Sequence, residues 1–203
     1  MDLTLVSKNL VERGYSVKTF ETAKECSDYL NSQIDATTVG IGGSVTVSEL
    51  GLYPLLKEHN TVFWHGDKDL VAKLGVKDII TSAINTEVYI SSVNAMSKDG
   101  VIINIDGNGN RIASTCYGHK KVYLIVGKNK LTLDFESAMW RARNIASPKN
   151  AQRLKKNTPC AVKGDKCYDC QSPERICNGF LIFERAMKGT ETEVLLVNEE
   201  LGY

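Results

Sequence analysis

Four cysteines, Cys160, Cys167, Cys170 and Cys177, fall within eighteen residues in the stretch PCAVKGDKCYDCQSPERICN. Thiolates are soft ligands for zinc, copper(I) and iron–sulfur clusters, and four this close in sequence can converge on one centre if the chain folds back between them. Gly164, Asp165, Ser172 and Pro173 supply the turns such a loop needs. The competing readings are two disulfides or four unrelated thiols. Disulfides need an oxidising compartment, and the opening residues MDLTLVSKNLVERGYSV hold no apolar run of signal-peptide length. A cytoplasmic setting and one shared metal centre are therefore expected. Cys26 and Cys116 stand alone in sequence and read as small buried hydrophobes.

The spacing C-x6-C-x2-C-x6-C narrows the choice of metal. Only Cys167 and Cys170 form the close pair that a zinc knuckle uses, and closely repeated C-x2-C units of the ferredoxin kind are absent. An irregular cysteine loop suits a [4Fe-4S] cluster, which is favoured here, with structural zinc as the alternative. Lys163, Lys166 and Arg175 would offset the charge of four thiolates under either metal.

A second set of residues could bind an anion. In GIGGSVT, a strand ending near Gly40 runs into Gly42, Gly43, Ser44 and Thr46, and Thr46 with Glu49 reads as a capping box opening a helix. Close backbone approach, exposed N–H groups and two hydroxyls suit a phosphate or carboxylate. The loop lacks the ending of a Walker loop and the third glycine of a dinucleotide fingerprint, and a plain strand-to-helix turn explains it equally well. In NIDGNGNRIA, Asp106, Asn108 and Asn110 begin like a calcium loop, but Arg111 and Tyr117 replace its required glycine and acidic ligand. A hairpin turn accounts for Gly107 and Gly109. The amide of Asn110 followed by Arg111 fits better with carboxylate or phosphate binding. Asn129 and Lys130, after the strand KVYLIV, add a point charge.

These loops need a scaffold that brings them together. With 203 residues, 42% of them hydrophobic, one sizeable core and a single domain over residues 1–203 are expected, with the cysteine-rich loop 159–178 inside it. A formal net charge of +1 argues against an electrostatically driven nucleic-acid binder, and apolar runs of strand length only argue against a membrane span. Residues 2–13 show helical spacing up to Gly14, YSVKTF reads as a strand, and Thr22 with Glu25 caps a helix to about residue 32. Short β-branched runs follow at ATTVGI, TVFW, KDIIT, EVYIS, GVIINI, KVYLIV and EVLLV, with helix-like stretches such as DKDLVAKLG between them. DFESAMWRARNIA and PKNAQRLKKN read as two helices broken at Ser147 and Pro148. The pattern is that of an α/β fold with a largely parallel sheet, whose ligands bind at the carboxyl ends of the strands.

The segments GGSVT, SSVNAMSKDGVIINIDGNGNR, VGKNKL and the C-terminal cysteine stretch together resemble the lactate-utilisation (LUD) domain family, LutC/YkgG-like, in a stand-alone subgroup carrying its own four-cysteine motif. That family is similar to the superfamily of ribose-5-phosphate isomerase, glucosamine-6-phosphate deaminase and CoA transferases. The resemblance implies a Rossmann-like sheet flanked by helices. It places the pocket at Gly42, Gly43, Ser44, Thr46, Asn94, Asp106, Gly107, Asn108, Asn110, Arg111, Asn129 and Lys130. It also implies a part in oxidising lactate to pyruvate beside iron–sulfur electron-transfer partners. Because the related enzymes use acidic bases or nucleophiles, Glu49, Glu87 and Asp106 become the catalytic candidates, although a capping role accounts for Glu49. His59, His65 and His119 have no metal-ligand spacing and read as structural or exposed. The three arginines and three lysines between Arg141 and Lys156 read as a solvated helical face.

Three functions follow as expectations. The first is a redox or accessory protein of organic-acid metabolism that binds a small carboxylate or phosphorylated ligand and a metal cluster. The second is a regulatory ligand-binding module stapled by zinc. The third is an isomerase or transferase acting on a phosphorylated or CoA-linked substrate.

Overall fold

A computed structural model describes residues 1–203. Ten strands form two sheets: β1 (Ser16–Phe20), β2 (Thr38–Ile41), β3 (Thr61–Trp64), β4 (Val88–Ser92), β5 (Ala95–Ser97), β6 (Ile102–Asp106), β7 (Lys121–Gly127), β8 (Leu131–Thr132), β9 (Gly179–Phe183) and β10 (Glu191–Val197). The larger sheet has the order β1-β10-β7-β4-β2-β3 and is parallel throughout. The smaller sheet, β8-β5-β6-β9, is mixed. The observed architecture is thus the α/β fold with a parallel sheet flanked by helices. No helix is long and apolar enough to cross a membrane.

The central strands are buried on both faces, which is why they read as unbroken apolar runs instead of alternating ones. Side chains alternate across the sheet. Tyr123, Ile125, Leu195 and Val197 face one cluster, which Cys26, Leu30 and Leu56 complete from α2 (Ala23–Gln33) and the helix Leu52–Lys57. Val122, Leu124, Val194 and Leu196 face another, closed by Val6 and Leu10 of α1 (Leu3–Glu12) and by Met96 and Ile102 of the small sheet. Ala138 and Ala142 pack on the outer side of that small sheet against Ala95, Ile103 and Ile105.

Local capping signals account for several helix starts. Asp2 accepts from Thr4 N–H at the start of α1, and Thr22 accepts from Glu25 N–H at the start of α2. Other starts differ from expectation. KDIIT belongs to a helix, Val76–Ile84, because Ile79 and Ala83 recur at helical spacing and face inward together. The helix after GGSVT is capped by Ser44, whose Oγ accepts from Val47 N–H, and it spans only Val45–Glu49. The expected Thr46 cap fails because Thr46 is already inside the helix. The DGNGN segment makes no hairpin; β6 leads through it into the helix Asn110–Cys116. Nor does the chain break at Pro148. A π-helical stretch, Ala142–Ala146, joins Phe135–Arg141 to Ser147–Arg153, and the wider turn accommodates a residue with no N–H to donate.

Gly40, in β2, leaves no room for a side chain. A Cβ there would clash with the Ala83 carbonyl and come within 2.8 Å of Thr86 Oγ1. Gly40→Ala is therefore expected to lower stability by about 1–3 kcal/mol, read as a fall in the urea midpoint at unchanged slope; an unchanged midpoint would contradict this packing.

Candidate functional site

The chain leaves β2 for its neighbour β3 on one side, whereas β4 continues toward β7 on the other, so the order reverses between β2 and β4. A crevice opens at the carboxyl ends of strands at such a point. Gly42–Thr46 follows β2, Ser92–Asn94 ends β4, and Lys128–Lys130 follows β7. The structure brings these three loops together around one amine.

Lys130 is buried to 3% exposure. Its Nζ donates to Thr46 Oγ1 at 2.6 Å and to Ser92 Oγ at 2.7 Å. Both hydroxyls direct their own hydrogens to carbonyls, of Leu201 and Ile125 respectively, so each presents only lone pairs to the amine. Burial, then the neighbouring guanidinium groups of Arg141 and Arg111, disfavours the ammonium form and lowers the pKa of Lys130 to about 7; the Glu49 carboxylate opposes this more weakly. Lys130 shares a recess of about 40 Å³ with Gly43, Ser44, Asn94, Arg111, Arg153 and Tyr203. The recess adjoins a larger cleft of about 410 Å³, and Gly43, Arg111, Asn150 and Arg153 border both.

Arg111 reaches this wall, but its terminal nitrogens are already engaged. They donate to Asn104 Oδ1 at 2.9 Å, Ile105 O at 2.5 Å, Asn94 Oδ1 at 3.3 Å and Ser92 O at 3.5 Å. Four of its five N–H donors thus tie the β4 and β6 ends together, which leaves Nε. Arg153 is the freer cation. It is exposed, and its Nε and one Nη are braced by Asn150 Oδ1 and the Tyr203 hydroxyl, leaving the other Nη to the cleft. His65 stands opposite Gly43, where a Cβ on the glycine would lie 3.2 Å from Nε2; burial and Arg153 hold its pKa below the usual imidazole range.

Other expected residues have structural duties. Asp106 accepts from the backbone N–H groups of Asn108, Arg111 and Ile112, so its carboxylate organises the loop. Glu49 accepts from Gly202 N–H at 2.6 Å on the rim. Asn129 holds the C-terminal segment through Leu201 N and Gly202 O. Asn94 accepts from Ile105 N–H as well as from Arg111. Gly107, Asn108 and Asn110 line the outer cleft. Glu87 is not brought to this site; it precedes β4, at the amino end of the sheet, paired with Lys120 at 2.8 Å. Sequence reasoning missed Arg153, Asn150 and Tyr203, which come from the helix after Pro148 and from the C-terminus. His65 carried a usable signal, because it is the first residue beyond the carboxyl end of β3.

The cysteine loop forms the far wall of the larger cleft through Glu174, Arg175, Ile176 and Asn178. It docks directly on the DGNGN loop. Asn178 N donates to Asp106 O at 3.0 Å, and a Cβ on Gly107 would lie 3.0 Å from the Ile176 carbonyl. All six cysteines are free, and those of the quartet are half-buried. The Arg175 side chain donates to the Cys170 and Cys177 carbonyls at 2.7 and 3.1 Å, and its charge lies near both thiols. Lys163 and Lys166 turn instead to the Tyr168 ring, so of the three expected cations only Arg175 attends the thiols. Burial raises the Cys177 pKa against the opposing effect of Arg175, and the charges of Cys167 and Cys170 also bear on it. These three thiols are neighbours, yet no three histidine, cysteine or acidic side chains converge closely enough to hold a metal ion. In thiol chemistry and charge balance the loop suits a metal; its sulfur positions would have to draw together.

The model of the LUD domain family matches residues 3–197. Among solved structures, the crystal structure of a DUF162 family protein from Deinococcus radiodurans is similar, with a TM-score of 0.49 and 8% identity, covering 96% of this chain and 95% of that one. No curated protein matches the chain.

Proposed function

The chain belongs to the LUD domain family, and from that premise we propose that it is a LutC/YkgG-like protein of organic-acid metabolism whose cleft binds a small carboxylate of the lactate or pyruvate kind. The observation that carries this reading is the charge of the inner recess. Arg111 and Arg153 border it, Arg141 lies behind Lys130, and the one acid that acts on Lys130, Glu49, is exposed on the rim. Cations without a buried counter-charge are unfavourable, and a bound anion would relieve that cost.

The second part of the proposal concerns Cys160, Cys167, Cys170 and Cys177. As a soft-ligand set beside a guanidinium they would hold a metal centre, a [4Fe-4S] cluster in preference to zinc. When bound, such a cluster supplies one-electron transfer, with iron–sulfur proteins as exchange partners in the cytoplasm. This chain's own residues contribute the anion cradle and the wall that joins the cysteine loop to it.

Titration calorimetry with L-lactate, pyruvate, acetate and inorganic phosphate tests the anion site. At least one carboxylate is expected to bind. Arg153→Ala, at an exposed position, is expected to weaken it about tenfold to a hundredfold, as befits a charge-assisted hydrogen bond. Binding of phosphate alone would favour the isomerase or transferase reading, and no binding of any anion would remove the proposal.

A further inference from the structure

Lys130 is built unlike a residue meant only to attract an anion. Two of the tetrahedral positions on Nζ point to Thr46 Oγ1 and Ser92 Oγ, whose hydrogens are already committed to carbonyls. A neutral amine satisfies both contacts with its two hydrogens and keeps its lone pair for the remaining direction. Arg141 and Arg111 repel an added proton, Glu49 is the only acid opposing them, and the site is nearly closed to water. The amine lines a recess that admits only a few heavy atoms, with Arg153 at its mouth.

We propose that Lys130 is a nucleophile that forms an imine with the carbonyl carbon of a short 2-oxo acid, whose carboxylate faces Arg153. This rests on the carboxylate site proposed above and specifies its substrate class. The Nζ lone pair makes the new C–N bond, the carbonyl C–O bond breaks, and the oxygen leaves as water carrying both amine hydrogens. No electron is gained or lost, so no other reagent is needed. The hydroxyls of Thr46 and Ser92 accept from Nζ and so hold the amine with its lone pair free for the carbonyl carbon. The imine holds the oxo acid covalently and draws electrons from the adjoining carbons.

Wild-type protein is incubated with pyruvate and sodium cyanoborohydride near pH 7.5, digested and mapped by mass spectrometry, with pyruvate titration calorimetry in parallel. The expected result is one saturable reduced adduct per chain, on Lys130, and none with L-lactate, which has no carbonyl. Absence of an adduct, or labelling only of exposed lysines such as Lys24 and Lys120, overturns the imine. If pyruvate still binds in that case, the carboxylate site survives alone. If pyruvate neither binds nor labels, the imine fails, and the carboxylate site fails with it only if L-lactate and acetate do not bind either. Because the mapping uses the native chain, the folding of a Lys130 variant does not decide the outcome.

Discussion

Lys130→Met is expected to make the protein more stable at pH 6, by about 3 kcal/mol, and less stable above pH 10. A lysine that titrates at about 7 in the fold and near its ordinary 10.5 when unfolded binds fewer protons folded than unfolded across that interval. Stability of the wild-type chain therefore rises with pH from about 7 toward 10.5, and it is lost as pH falls back through the folded value. Below pH 7 the full penalty is on the order of 5 kcal/mol, at about 1.4 kcal/mol for each tenfold change in proton affinity. Methionine removes that penalty and also removes two hydrogen bonds, worth about 1 kcal/mol each. The hydroxyls of Thr46 and Ser92 keep their carbonyl acceptors, so no donor is stranded. Urea denaturation of both proteins between pH 6 and pH 10.5 would show the two stability curves crossing. Parallel curves would mean that Lys130 is charged throughout and that its environment is less hostile to the ammonium than its burial implies. A residue that destabilises the fold is retained for what it does, which is the pattern expected of a binding or reacting group.

Purified without oxygen, the protein is expected to carry iron and acid-labile sulfide at about four of each per chain, the content of one cubane cluster. Cys170→Ser or Cys177→Ser should remove most of both. Three of the four thiols already lie within electrostatic reach of one another, with Arg175 among them to balance their charge. Metal binding would draw the sulfurs inward and tighten the loop that walls the cleft. Removing the metal by chelation should consequently raise hydrogen exchange both in residues 164–178 and in the DGNGN segment on which they dock, because Asn178 and Gly107 link the two. Zinc near one per chain without sulfide would make the loop a structural staple. Neither metal would leave four thiols whose nearness is a consequence of the loop's path alone, consistent with the present lack of convergence.

The elements that build the sheet were legible because their signals are local. Apolar runs at TVFW, EVYIS and KVYLIV need only chain stiffness and burial on both faces to become strands, and Thr22 or Asp2 needs only the next turn of backbone to cap a helix. GGSVT and Lys130 could be singled out for the same reason, since glycines after a strand and a lysine after another are read at short range. Errors arose where the deciding partner was elsewhere. KDIIT became a helix because Ile79 and Ala83 face the core together, and Pro148 was absorbed by a π turn that no propensity scale anticipates.

The sequence by itself determined the alternation of strand and helix, the glycine loops that end the strands, and the supply of thiols and cations. Only the tertiary structure decided which of them meet. Parallel order put β2, β4 and β7 side by side and enclosed Lys130 between two hydroxyls, one from the helix after β2 and one from the end of β4, while Arg111 was engaged by carbonyls and amides. It also placed Glu87 at the wrong end of the sheet and Arg153 at the mouth of the recess. The physical reason is that charge and hydrogen-bond capacity belong to a residue, whereas desolvation and the choice of partner belong to the packed fold.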